Sequence, residues 1–112
     1  MNVGDIYDAE IPFDESPGSK IRPVIICHIF DDGNLLLAES RGKPHPHLEL
    51  LGILDMERMP YKNRKRRGVS QFYMENIRER PASVLRKNGF IKALLTAEFE
   101  QIVGTILREF DL

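Results

Sequence analysis

The feature that most constrains this chain is a pair of apolar runs, VIICHIF at residues 24–30 and LLLAES at residues 35–40, separated only by Asp31-Asp32-Gly33-Asn34. The first run is rich in β-branched residues, which suit a pleated and packed surface. The spacer has the Asp, Gly and Asn composition of a tight reversal, so the two runs are expected to form a hairpin. Both runs are apolar almost throughout, as expected of strands central to a small barrel or sandwich.

With 112 residues, 42% of them hydrophobic, the chain is long enough for one compact domain with a core and too short for two. Residues 1–112 are therefore read as a single domain. Residues 4–13 alternate loosely and reach Pro12, which suggests an edge or a strand end. Residues 14–20, DESPGSK, have the composition of a loop. Pro23 fixes its own φ and biases Arg22 toward extended backbone, so Lys20-Ile21-Arg22-Pro23 is expected to be a turn mounted on the first apolar strand.

Beyond Ser40 the pattern weakens. Residues 47–59 suggest a strand plus a short helix, KNRKRRG at 62–68 is a charge run, and residues 69–77 resume as a strand that ends by Pro81. The last third carries helix signals. Thr96 is the expected N-cap, with Glu98 in the first turn. Phe99, Ile102, Val103, Ile106, Leu107 and Phe110 then recur at helical spacing, one apolar face laid against a sheet.

Charge is nearly balanced overall, with 16 Lys plus Arg against 17 Asp plus Glu, so no bulk field announces a nucleic-acid or membrane partner. Its distribution is uneven. Between Arg41 and Arg67 eight basic residues face three acidic ones, and the rest of the chain sums to minus six. The opening residues have neither the basic nor the apolar region of a signal peptide, and no apolar run approaches membrane-spanning length. With Cys27 alone, no intramolecular disulfide is possible, in keeping with a reducing cytoplasm.

Several side chains invite chemistry. Arg22, at the mouth of the apolar strand, is either a surface ion-pair residue or a guanidinium held over an anion. Pro44-His45-Pro46-His47 offers two histidines without a third metal ligand at usable spacing, which reads as an exposed loop. Cys27 and His28 lie within an apolar strand, where packing is the ordinary role. The basic run containing Lys62, Arg64 and Lys65 is a solvated loop or a clamp on a phosphate backbone, with Phe72 or Tyr73 as a stacking face.

Taken in order, GDIYDAEIPF, GSKIRPVIIC, NLLLAES and SQFYMENIRERPASVL resemble the MazF/PemK family of toxin endoribonucleases over nearly the whole chain. The resemblance implies an SH3-like small β-barrel of the MazF/PemK/CcdB type, mainly β with a C-terminal α-helix. It also implies a homodimer, metal-independent cleavage of single-stranded RNA without a cofactor, and neutralisation by an antitoxin protein. Arg22 matches the arginine of the family's Arg-Pro element, and Ser40 keeps a hydroxyl where the family usually has the threonine of Pro-x-Thr. Glu75-Asn76-Ile77-Arg78 echoes the family's Asp-Gln-Ile-Arg.

Carried onto this chain, Arg22 and Ser40 form the catalytic pair, and Lys20, Arg41, Lys43, Lys62, Arg64, Lys65 and Arg78 position the RNA backbone. Metal-free cleavage sends the 2'-OH onto the adjacent phosphorus, and a guanidinium stabilises the charge that develops there. A serine hydroxyl orients or donates, and the proton acceptor is left to a histidine, Glu39 or water. Two alternatives stand beside this reading. One is a non-catalytic RNA- or protein-binding module on the same barrel, favoured by the missing Pro-x-Thr; the other is a gyrase-directed toxin of related fold.

Overall fold

The computed structural model describes residues 1–55 and 69–112, so the basic run with Lys62, Arg64 and Lys65, and part of the 47–59 segment, lie outside the described residues. Within them the chain is mainly β with one C-terminal helical segment. The strands are β1 (Asp5–Pro12), β2 (Ser19–Ile29), β3 (Leu35–Glu39), β4 (Leu50–Asp55), β5 (Val69–Tyr73), β6 (Ile77–Arg80) and β7 (Leu85–Ala93). Five of them form an antiparallel sheet in the order β6-β3-β2-β1-β7, and β4 pairs with β5 in a separate ribbon. An isolated bridge between Arg41 and Gln71 links the two, which are not closed into a barrel.

The expected hairpin is present. Phe30 N–H donates to the Asn34 carbonyl at 2.8 Å, and Gly33 takes a φ of +88°, which glycine adopts without a Cβ penalty. Its strands are central because both of their faces are covered. Val24 and Ile26 of β2 and Leu35 and Leu37 of β3 pack with Ala9 and Ile11 on one side. Ile25, Cys27, Leu36 and Ala38 face the other, against Phe72 and the helical residues Ile102, Val103 and Ile106.

The structure corrects three expectations about the strands. β2 begins at Ser19, so Lys20-Ile21-Arg22-Pro23 is paired strand rather than a turn: Pro23 stands opposite Asp8, and Arg22 opposite Ala9. Pro23 is tolerated because β3 ends at Glu39, opposite Val24, and the one bond beyond it, from the Ser40 N–H to the Pro23 carbonyl, asks no N–H of the proline. The expected strand at 69–77 is broken by a 3₁₀ turn, Met74–Asn76, that carries the chain from β5 in one sheet to β6 in the other. β7 lies where helix signals were expected, because LRKNGFIKA has little alternation and interrupts itself at Asn88, with φ +59°.

The terminal helical segment runs through α1 (Thr96–Glu98), a π turn (Phe99–Gly104) and α2 (Thr105–Glu109). Thr96 is its first helical residue rather than its cap; the Leu95 N–H is instead met by the Glu98 carboxylate at 2.9 Å. Ile102, Val103 and Ile106 are buried, whereas Phe110, expected on the same face, is 45% exposed because the helix ends at Glu109. The helix start also needs Gly4. With φ +93° it lies where an added Cβ would come within 2.7 Å of the Phe99 ring.

Candidate functional site

Sheet register assembles the site. Directly opposed residues of an antiparallel pair project to the same face. Lys20 opposes Ile11, Arg22 opposes Ala9 and Glu39 opposes Val24, while on β6 Arg78 opposes Leu37 and Arg80 opposes Leu35. Their partners all belong to one apolar cluster. The five charged residues therefore share a face of the sheet, and at one end that face changes from apolar core to a charged groove.

The groove encloses about 140 Å³. Its lining includes Lys20, Arg22, Arg41, Arg78 and Arg80 against two carboxylates, Asp14 and Glu39, with Ser40 and Asn76 completing the polar wall. Arg80 cancels one acid directly: its Nε donates to Glu39 Oε2 at 2.9 Å and its Nη2 to Oε1 at 3.3 Å. Those hydrogen bonds raise Arg80 above the ordinary arginine value, against the opposing effect of burial. The remaining excess is positive, suited to a bound anion.

Arg22 is half-buried, and its Nη1 donates to the Ser40 carbonyl at 2.8 Å, so it is not the solvent-exposed ion-pair residue of the alternative reading. One contact leaves most of a guanidinium's five N–H donors for a ligand. Ser40 is only 3% exposed. Its backbone N–H donates to the Pro23 carbonyl at 3.2 Å, and this extends the β2–β3 pairing one residue past β3 and ties Ser40 to the Arg22-Pro23 segment.

Arg41 is fixed from two sides. Its Nε donates to Asn76 Oδ1 at 2.7 Å, and its Nη1 meets His45 Nε2 at 3.0 Å. Arginine has no acceptor, so His45 accepts on Nε2. The His45 backbone N–H in turn donates to the Tyr73 hydroxyl at 2.8 Å, and that hydroxyl donates to Gln71 Oε1. His45 is thus half-buried in a network and not the free loop residue expected, whereas His47 is exposed. Sequence spacing held no sign of this network, because its members come from the 41–45 segment, β5 and the turn before β6.

The other candidates divide. Lys20 and Arg78 are exposed at the groove, with Arg78 Nη1 donating to the Glu75 carbonyl at 2.8 Å. Lys43 is exposed but does not line it. Phe72 and Tyr73 are 0% and 3% exposed and offer no stacking face, since β5 turns them into the core and the Tyr73 network. Glu39, named from the sequence as a candidate proton acceptor, lines the groove, and Arg80 and Asn76 join it without having been singled out as RNA-positioning or catalytic; only the β3–β6 register reveals Arg80.

Cys27 is buried, and loss of hydration pushes its thiol up to about 12, as expected of a packing residue. Among the described residues no group of three His, Cys, Asp or Glu side chains is placed to hold a metal ion, and no helix is long and apolar enough to cross a membrane. No protein-family model matches the chain and no curated protein matches it.

Proposed function

We propose that this chain is a MazF/PemK-like toxin that cleaves single-stranded RNA without a metal ion, acting in the cytoplasm as a homodimer and neutralised by an antitoxin. The observation that carries the reading is the convergence of Lys20, Arg22, Arg78 and Arg80 from two strands onto one face, beside Arg41 and Ser40. The finer fold assignment, an SH3-like barrel, belongs to the same proposal. It is supported by the antiparallel order of the five-stranded sheet and the terminal helix packed on its apolar face.

In this reading the RNA 2'-OH attacks the adjacent phosphorus, and the bond to the 5'-oxygen breaks. The products are a 2',3'-cyclic phosphate and a 5'-hydroxyl. Arg22, oriented by the Ser40 carbonyl, directs its remaining N–H groups at the phosphoryl oxygens, where negative charge grows in the transition state. The Ser40 hydroxyl donates to the same phosphate. Lys20, Arg41 and Arg78 hold the flanking backbone. The 2'-OH proton passes to water or to Glu39, the carboxylate nearest in sequence to Ser40, and the 5'-oxygen takes a proton from water as it leaves, so the proton count is unchanged.

A second reading is favoured by two details: Ser40 is almost fully covered, and one Arg22 donor is already committed to a carbonyl. On that reading the groove retains RNA without cutting it. Purified protein incubated with a long single-stranded RNA in excess EDTA separates the two. Discrete cuts that fall about 100-fold or more with Arg22→Ala are expected. Intact RNA that is nevertheless retained in a salt-dependent manner selects the binding module, and neither cutting nor retention at low salt refutes both.

A further inference from the structure

We propose that the face carrying the groove extends into a base-stacking platform at Tyr7 and Phe90, where a nucleotide adjoining the groove-bound phosphates places its base. The inference rests on the reading of the groove as an RNA site. Tyr7 of β1 and Phe90 of β7 are register partners, and their rings meet edge to face, with centroids 5.6 Å apart and planes at 75°. Tyr7 packs against the same apolar cluster as Ala9 and Ile11, whose partners on β2 are Arg22 and Lys20. Platform and groove therefore open on one face, with Leu85 opposite Ala9 between them.

Phe90 is 52% exposed, the most exposed phenylalanine among the described residues. The T-shaped contact with Tyr7 restrains the ring while leaving much of its surface open, as a stacking platform requires. Its surroundings favour a polyanion: β7 contains Arg86 and Lys87 and no acidic residue, whereas its Lys92 is paired with Glu98 at 3.9 Å. Arg86 and Lys87 are exposed. From Arg22 to Phe90 the sheet path is two residues along a strand and two strands across, roughly 12 Å between Cα positions on standard sheet spacings. A strand of a few nucleotides spans that distance. Phe72 and Tyr73, the aromatics nearest the basic run in sequence, are buried and cannot serve.

The test is fluorescence-anisotropy titration of the full chain with short single-stranded RNA carrying an end label. Phe90→Ala and Phe90→Leu are expected to weaken binding about 5- to 150-fold, the range for losing one stacked base, while Phe90→Trp binds as the original does. The salt dependence should not change in the Phe90 variants, because no phosphate contact is removed, and should become shallower in Arg22→Ala. Ile53→Ala, which removes an equally exposed apolar residue from the β4–β5 ribbon, is expected to have no effect.

Equal affinity for the original, Phe90→Ala and Phe90→Leu overturns the platform while leaving the groove intact. So does a change in oligomeric state of Phe90→Ala on light scattering with unaltered RNA affinity, which would make this face a contact between copies. Absence of RNA binding by the original chain at low salt overturns the groove reading, and the platform with it.

Discussion

Gly52→Ala is the substitution whose consequence can be worked most directly from the structure. Gly52 lies in β4 opposite Phe72, outside the left-handed region, so its backbone accepts alanine. Its side-chain space does not. An added Cβ would stand 2.7 Å from both Cγ1 and Cδ1 of Ile102, a residue 1% exposed that pins the helical segment to the ribbon. Relieving that overlap requires the helix to move or Ile102 to leave its rotamer, and overpacking of this kind costs about 1–3 kcal/mol. With an unfolding entropy of about 2.1 cal/mol/K per residue, roughly 0.24 kcal/mol/K for the whole chain, the loss is a fall in Tm of about 4–13 °C.

The decisive comparison is a double-mutant cycle followed by thermal and urea unfolding. Ile102→Ala alone should cost about 2–5 kcal/mol through the cavity it opens. In that background the overlapping atoms are gone, and Gly52→Ala should turn neutral or stabilising by up to about 1 kcal/mol, because alanine restricts the unfolded chain. The same penalty for Gly52→Ala in both backgrounds would refute a steric origin and sever the link between β4 and the helix.

Two further predictions concern buried ionisable groups. Cys27 should resist a thiol reagent at pH 8 in the folded protein and react fully in denaturant. Its thiol is raised from 9.0 to about 12, so the stability it contributes is complete below about pH 9 and is lost as pH rises toward 12. Relative to Cys27→Ala, the original chain should thus lose about 1 kcal/mol by pH 10 in urea unfolding, and parallel alkaline profiles would contradict this. In the groove, Glu39→Ala leaves Arg80, whose side chain is 18% exposed, without its carboxylate; it should cost about 1–3 kcal/mol and Glu39→Gln less, with Arg80→Ala recovering part of the loss in the double variant. Strictly additive penalties would show that the pair does not couple.

Local chemistry made the centre of this molecule legible from its residues alone. The unbroken apolar runs of β2 and β3 and the Asp-Asp-Gly-Asn spacer specify a buried hairpin, because such strands are stable only with both faces covered. The helical spacing of Ile102, Val103 and Ile106 marks the element that covers one of those faces, and Arg22 stood out at the end of the strand it belongs to. Phe110 shows the limit of periodicity, since it continues the pattern past the point where the helix stops.

The rest depended on which strands pair and in what register, and those contacts are long-range. Arg80 reaches the groove only because β6 pairs with β3 from 41 residues beyond Glu39, and His45 becomes a partner of Arg41 only where the Tyr73 and Gln71 network holds it. Phe72 and Tyr73 look like surface aromatics beside a basic run until β5 turns them inward. β7, too polar and irregular to announce itself, is made a strand by the hydrogen-bonding edge that β1 offers it. Sequence pattern determines which segments must be buried; sheet register decides which charges and rings end up sharing a face, because antiparallel partners project together regardless of how far apart they lie in the chain.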